Sequence, residues 1–278
     1  DADPGTAGNQ LVQERSVAFD EITGRFVVDY EITPDNLLYA SYSRGYKSGG
    51  INPPLQPIFA VPESFDAESI DAFEIGSKNT FGNGEFQLNA TAFYYKYKDL
   101  QLSRIIARTS VNDTIDANIW GAEIEAILRP SYNWMFNVNF SYLNAEVAGD
   151  QFFSNPRDPG GGDPDAVIIK DITNGALCAV TGGNADAFVN AINPGLGLQG
   201  TTEFPADGNI ASSGAFSICS VLEGQAAAIG GLFGGITVLS PGVEVNLKGN
   251  KLPQAPELKA SVGAQYTAEF SSGMTLVP

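Results

Sequence analysis

Strict alternation of apolar and polar residues over unusually long runs is the feature that most restricts this chain. From Tyr132 to Tyr142, the side chains of Tyr132, Trp134, Phe136, Val138, Phe140 and Tyr142 share one parity, and Asn133, Asn137, Asn139 and Ser141 share the other. From Leu258 to Phe270, Leu258, Ala260, Val262, Ala264, Tyr266, Ala268 and Phe270 alternate with Lys259, Ser261, Gln265, Thr267 and Glu269. Successive strand side chains point to opposite faces, so each run is a ribbon with one greasy side and one wet side. The same two-sidedness recurs in Phe26–Ile32, Phe86–Ala92 and Trp120–Leu128. Strands in globular proteins usually stop after five or six residues. Ribbons this long, with aromatics near their ends, suit an antiparallel barrel wall standing in a bilayer.

Turn signals cut the pattern into seven strands: Gly24–Ile32, Asn36–Tyr46, Asp66–Thr80, Glu85–Ser103, Thr114–Leu128, Tyr132–Val147 and Leu252–Phe270. An eighth starts at Met274. Tight turns at Thr33–Asn36, Phe81–Glu85, Arg129–Asn133 and Phe270–Gly273 supply Pro, Asn and Gly where turn backbones need them. Longer connections lie between them: Lys47–Phe65, a brief one near Arg108–Asp113, and the very long Ala148–Lys251. Short and long connections therefore alternate, as in an up-and-down membrane barrel with one plain and one elaborated rim. The expected fold is all-β, an antiparallel transmembrane barrel segment of seven or eight strands, with residues 148–251 as a long extracellular loop lacking regular structure. Trp134, Phe136, Val138, Phe140, Val262 and Tyr266 are expected to face lipid. The segment Phe93–Tyr97 is aromatic at both parities and marks either a bulge or an interfacial girdle.

Composition removes several functions. A net charge of −17 with pI near 4.2 argues against a nucleic-acid partner. No His is present, so Ser or Cys nucleophiles lack their usual base and metals their commonest ligand. Asp158, Asp163 and Asp165 lack EF-hand spacing and read as a solvated loop rather than a Ca²⁺ site. Glu123 and Glu125 share one strand face but read as a wet acidic patch, with nothing to separate their pKa values. Gly195–Gly200 spells the dinucleotide pattern, yet Asn193–Pro194 precedes it and Thr201–Pro205 follows, where a strand and a helix are needed. Gly224–Val243 carries no charge but is glycine-rich, with too short an apolar core to span, and reads as a loop that covers itself. Cys178 and Cys219 are either a disulfide or two separate buried thiols. Arg44 and Lys47 are the candidate contacts for an anionic ligand, with a rim salt bridge as the competing reading.

Five blocks in order resemble the barrel domain of TonB-dependent outer-membrane receptors. They are Leu38–Asn52 (LYASYSRGYKSGGIN), Ala72–Lys78 (AFEIGSK), Leu88–Gln101 (LNATAFYYKYKDLQ), Gly121–Glu125 (GAEIE) and Asn250–Pro256 (NKLPQAP). The resemblance runs from Gly24 to Phe270 apart from the long insertion. It implies import of a bulky, scarce ligand such as a ferric siderophore, cobalamin or an oligosaccharide across a Gram-negative outer membrane. Energy would arrive from the TonB complex through a plug domain, which is not recognisable in this chain. Barrels of this kind have about 22 strands, so the chain resembles an internal segment of one. No catalysis and no cofactor are implied. The alternatives are a passive porin, or a small barrel complete with eight strands, and, further off, a secreted soluble β-enzyme.

Overall fold

The computed structural model describes residues 15–53, 61–106, 109–173, 176–198 and 215–277. Six long strands follow one another as a meander: β1 (Gly24–Thr33), β2 (Asn36–Lys47), β3 (Glu68–Phe81), β4 (Phe86–Ile106), β5 (Thr109–Ser131) and β6 (Trp134–Val147). An insertion follows, holding β7 (Phe152–Ser154), β8 (Val167–Asp171), β9 (Leu177–Thr181), α1 (Ala185–Ile192), β10 (Ala215–Ser217), α2 (Cys219–Ile229), β11 (Thr237–Leu239) and β12 (Glu244–Asn246). The chain then returns as β13 (Leu258–Tyr266), which pairs with β6 from Leu258↔Tyr142 to Tyr266↔Trp134. The result is one seven-stranded antiparallel sheet in the order β1-β2-β3-β4-β5-β6-β13. The last strand starts at Leu258 rather than the expected Leu252, because Pro253 and Pro256 cannot donate to a ladder, and it ends at Tyr266. The expected eighth strand is present only as Thr275–Leu276, paired with Ala268–Glu269.

Residues on one face can be followed across the sheet by register. Phe26 opposes Tyr42, Tyr42 opposes Phe73, Phe73 opposes Tyr94, and Tyr94 opposes Trp120, so five aromatic residues form a single row. Eight residues nearer the tight turns, Phe81, Phe86, Leu128 and Phe136 form a second row on the same face, edged by Trp134 and Tyr266. Ala, Leu, Ile and Val fill most of the space between, as at Ile75, Ala92, Ile124, Val138 and Val262. Eight residues span roughly 26 Å along a strand, and strands tilted near 45° cross a bilayer in about nine to eleven residues. Counted inclusively, one row to the other is nine residues, at the short end of that range.

Face preference reverses just beyond the first aromatic row. Along β5 the outward parity runs Leu128, Ala126, Ile124, Ala122, Trp120, then Asn118, Asp116, Thr114 and Asn112. The inward parity runs Ile127, Glu125, Glu123 and Gly121, then Ile119, Ala117 and Ile115, with Asp113 alone polar before Val111. Val111, Ile115, Ala117, Ala145 and Val147 are all at most 5% exposed, so above the row the apolar side is the inner one. β4 follows this reversal through a bulge. Lys98 and Asp99 (φ 56°) together stand opposite Asp116, and the next pairs are Leu100↔Ile115 and Leu102↔Asp113. The segment Phe93–Tyr97 keeps regular register, so the bulge lies just after it. The expected connection near Arg108–Asp113 is shorter than predicted, because β5 already begins at Thr109.

The long connection is not an irregular loop, which corrects that expectation. Strands β8–β11 form a mixed sheet in the order β10-β8-β9-β11, with β8 and β10 parallel. Val167, Ile169, Val180, Phe188, Val189 and Leu222 build a separate core, and Ile192, Ala226 and Ile229 pack against it. Asn184 caps α1 by accepting the Ala187 N–H at 3.1 Å. The buried Asp171 carboxylate accepts the Cys219 N–H at 2.9 Å, capping α2 from a different element. Gly224–Val243, read as a self-covering loop, is instead the second half of α2, a 3-10 turn and β11. The glycines hid a helix whose neutral side chains pack on the insertion's own core. No helix among the described residues is long and apolar enough to cross a membrane.

Candidate functional site

The inner face of the wall is where a ligand or a lumenal partner would be met. Its middle is polar by parity: Asp29, Ser41, Glu74, Lys78, Thr91 and Glu123 occupy inward positions on five adjacent strands. Hydrogen bonds hold the rings that stand there. The Tyr95 hydroxyl donates to Glu74 Oε1 at 2.7 Å, and the Tyr39 hydroxyl lies 2.8 Å from Thr91 Oγ1. Phe93 and Tyr95 stack with centroids 4.8 Å apart. Two glycines make room for these rings. A Cβ on Gly76 would meet the Tyr39 ring at 2.6 Å, and one on Gly121 would meet the Phe93 ring at 2.8 Å and the Tyr142 carbonyl oxygen at 2.1 Å. Toward the tight-turn rim a cavity of about 380 Å³ is lined by Glu31, Asn36, Lys78, Asn79, Gln87 and Asn89 among others.

The two cations singled out from the sequence do not converge. Arg44 shares its parity with Tyr42 and so lies on the outer, aromatic face. It binds Asp71 at 3.2 Å and also pairs with Glu21. Lys47 is three residues on, on the inner face at the long-loop rim, 3.9 Å from Glu68. Glu123 and Glu125 stand inward on β5, and Ser141 Oγ lies 3.4 Å from Glu123 Oε1.

At the long-loop end the elements are tied together. Asn52, 5% exposed, donates to the Asn112 carbonyl at 2.8 Å and accepts the Asn112 N–H at 2.8 Å, joining residues 47–68 to β5. Arg104 binds Asp113 at 2.8 Å, and its guanidinium lies 4.8 Å from the Phe153 ring, so the β4–β5 hairpin touches the base of the insertion. At that base Asp150 accepts from Asn246 Nδ2 at 2.8 Å and faces Lys248 at 3.4 Å, which hold its carboxyl below the usual range. Lys251 pairs with Glu146 at 3.0 Å and Glu257 at 3.1 Å, and these acids push its ammonium above the ordinary lysine value.

A family model described as TonB dependent receptor-like, beta-barrel matches residues 1–167. The chain belongs to this family of TonB-dependent receptor β-barrels. The family is one of receptors rather than enzymes. Among solved structures the chain is similar to the ferric yersiniabactin uptake receptor FyuA of Yersinia pestis. Identity is 19%, over 57% of this chain and 24% of that one, with a TM-score of 0.38. It is also similar to the siderophore receptor PiuA of Acinetobacter baumannii, at 14% identity over 88% and 23%, TM-score 0.44. A third is the copper transporter OprC, at 15% identity over 45% and 20%, TM-score 0.36. The chain thus spans about a quarter or less of the length of each. A comparison with curated proteins found no match.

In a TonB-dependent receptor wall the remaining candidates take clear places. Cys178 and Cys219 are joined at an S–S distance of 2.06 Å, tying β9 to the start of α2 inside the insertion. Asp163 Oδ1 accepts the Asp165 N–H at 2.9 Å, a local turn, and no cluster of metal-ligating side chains occurs among the described residues. The glycine pattern begins at Gly195 inside the 3-10 turn Asn193–Leu196 that follows α1, with no strand before it, and residues 199–200 lie outside the described part. Trp134, Val138, Phe140, Val262 and Tyr266 are each at least 40% exposed on the outer face, with Phe136 half-buried beside them. Arg104 carried no sequence signal, and Asn52 only its place at the end of the Leu38–Asn52 block, since each acts through a residue in another element.

Proposed function

We propose that this chain forms part of the barrel of an outer-membrane active-transport receptor in a Gram-negative bacterium. The ligand is bulky and scarce, in the class of ferric siderophores, cobalamin or oligosaccharides, and energy comes from the TonB complex through a plug domain outside this chain. The observation that carries the reading is the reversal of face preference at the aromatic row. Below it, apolar side chains face outward over a band of bilayer height. Above it they face inward, and the outer side is polar. A soluble sandwich has no cause to exchange its faces at one level.

In this reading the insertion at residues 148–251 stands on the extracellular rim and helps enclose ligand. Its net acidic character and separate core make it a module carried by the barrel, and Arg104 and Lys251 fix its base. The test is uptake of labelled ferric siderophore, cobalamin and oligosaccharide by a strain lacking the full-length gene, complemented with or without residues 156–242. Energised uptake that needs TonB and falls on removing the insertion is expected. Uptake that persists undiminished without TonB would favour a passive porin and overturn the reading.

A further inference from the structure

Cys178 and Cys219 are the only cysteines of the chain, and their disulfide lies inside the insertion's core. Cys178 stands in β9 opposite Ile169 of β8, and Cys219 opens α2. Val167, Val180, Phe188, Val189 and Leu222 belong to the same cluster, so apolar side chains wall the bond. Both cysteines are at most 2% exposed. The buried Asp171 carboxylate accepts the Cys219 N–H at 2.9 Å, the Thr173 N–H at 2.7 Å and the Thr173 hydroxyl at 2.6 Å. It fastens the start of α2 to the end of β8 and holds the Cys219 end of the bond against the sheet. The separation of 41 residues lies wholly within the insertion, so the pairing needs no strand of the wall.

A disulfide is made or broken by a thiolate that reaches one of its sulfurs, and the closed core leaves no path for one. The bond is therefore made while the insertion is still open. A chain bound for the outer membrane is open in the periplasm, an oxidising compartment. We propose that the receptor is a client of a periplasmic thiol oxidase, which joins Cys178 to Cys219 before the core closes, and that the finished bond is structural, out of reach of thiols at the cell surface. This rests on the reading of the chain as part of an exported outer-membrane receptor. The exchange has two steps. The thiolate of one cysteine attacks a sulfur of the oxidase's disulfide, forming a mixed disulfide and releasing the oxidase's other sulfur as a thiolate. The thiolate of the second cysteine then attacks the sulfur of the first, forming Cys178–Cys219 and releasing the remaining oxidase thiolate. Two protons leave the cysteines, and two electrons stay on the oxidase, which departs as a dithiol.

The test uses the full-length receptor in Gram-negative cells with and without periplasmic thiol oxidase activity. Cells are quenched in acid and denatured, and free thiols are tagged with a maleimide bearing polyethylene glycol, so that each thiol shifts gel mobility by one step. No shift is expected in the first strain and a two-step shift in the second, with cystine in the medium restoring the unshifted form. Cys178→Ser and Cys219→Ser, made singly, each leave one thiol and should accumulate a covalent adduct with the oxidase that reductant releases. The double Ser variant should form no adduct. A membrane-impermeant phosphine added to intact cells should leave the bond whole, and the same phosphine should reduce it after denaturation. An unshifted receptor in both strains, or single variants without adduct, overturns the proposal. Reduction of the bond on intact cells overturns its shielded, structural role. Fractionation tells this failure from that of the receptor reading. Protein in the outer membrane with its cysteines joined in both strains ends only the part played by the oxidase. Protein in the cytosol with both thiols free ends both.

Discussion

Parity decides the environment of each side chain in the wall, and it can be tested one residue at a time. Spin labels at Phe136 and Asn137 of the intact protein should report opposite surroundings, with lipid-soluble oxygen reaching the first and an aqueous quencher the second. Equal accessibility would remove the membrane reading. Gly121 is a position where no side chain fits. A Cβ there would lie 2.1 Å from the Tyr142 carbonyl oxygen. Gly121→Ala should therefore cost about 1–3 kcal/mol, as overpacking does, and appear as a lower urea midpoint for the refolded barrel. Charged groups at the base of the insertion carry a pH dependence. The Asp150 carboxyl is held below its ordinary value by Asn246 and Lys248. Its contribution is thus present above the unfolded value near 3.8 and lost as pH falls through the lower folded value. Lys251 has the opposite sign: its contribution is present below 10.5 and lost as pH rises through the raised folded value. Protection factors at Phe153 and Val245, that is, exchange corrected for its intrinsic pH dependence, should hold from pH 5 to 8, fall in stronger acid, and fall again once pH passes above 10.5.

Among elements, what the sequence discloses depends on how many faces an element buries. The wall strands bury one face each, so their alternation exposes them, and β1, β2 and β3 end within two residues of where the sequence places them. The insertion escapes such reading. β8 and β9 are five residues each and buried on both sides, so Val167–Ile169 and Cys178–Val180 show an apolar run without period. The helix α2 contains Gly224 and is followed by four glycines, which resemble loop composition. The bulge at Lys98–Asp99 has no local signature beyond the failure of alternation nearby. The opposite faces of Arg44 and Lys47, by contrast, were available from the odd spacing between them. The disulfide gives a prediction at this scale. It closes a separation of 41 residues within the insertion, so Cys178→Ser with Cys219→Ser should lower that module's stability by about 2–4 kcal/mol. Limited proteolysis of the intact protein should then cut between β9 and α2 while the wall fragments persist.

For the whole molecule, the wall and the insertion are two structures with different physical supports. The wall has little core of its own: apart from the inner patch near Val111 and Ile115, its large apolar side chains stand exposed or half-exposed in the isolated sheet. In the proposed function its outer face is completed by hydrocarbon. The insertion is supported by its own buried residues and needs no lipid. Detergent removal should therefore aggregate the wall but leave the insertion, expressed alone as residues 150–248 under oxidising conditions, monomeric with slow amide exchange at Val180 and Val189. Rapid exchange there would show that the barrel rim is needed to fold it.

The exchange of faces along β5 has a use beyond this chain. Where Trp120 gives way to Asn118 outward, and Glu123 gives way to Ala117 inward, the alternation slips its phase without any change in strand geometry. A strand leaving the membrane must do this if it continues upright into water. The slip is a depth gauge written in one dimension, and it fixes the waterline on a hairpin before any coordinate is known.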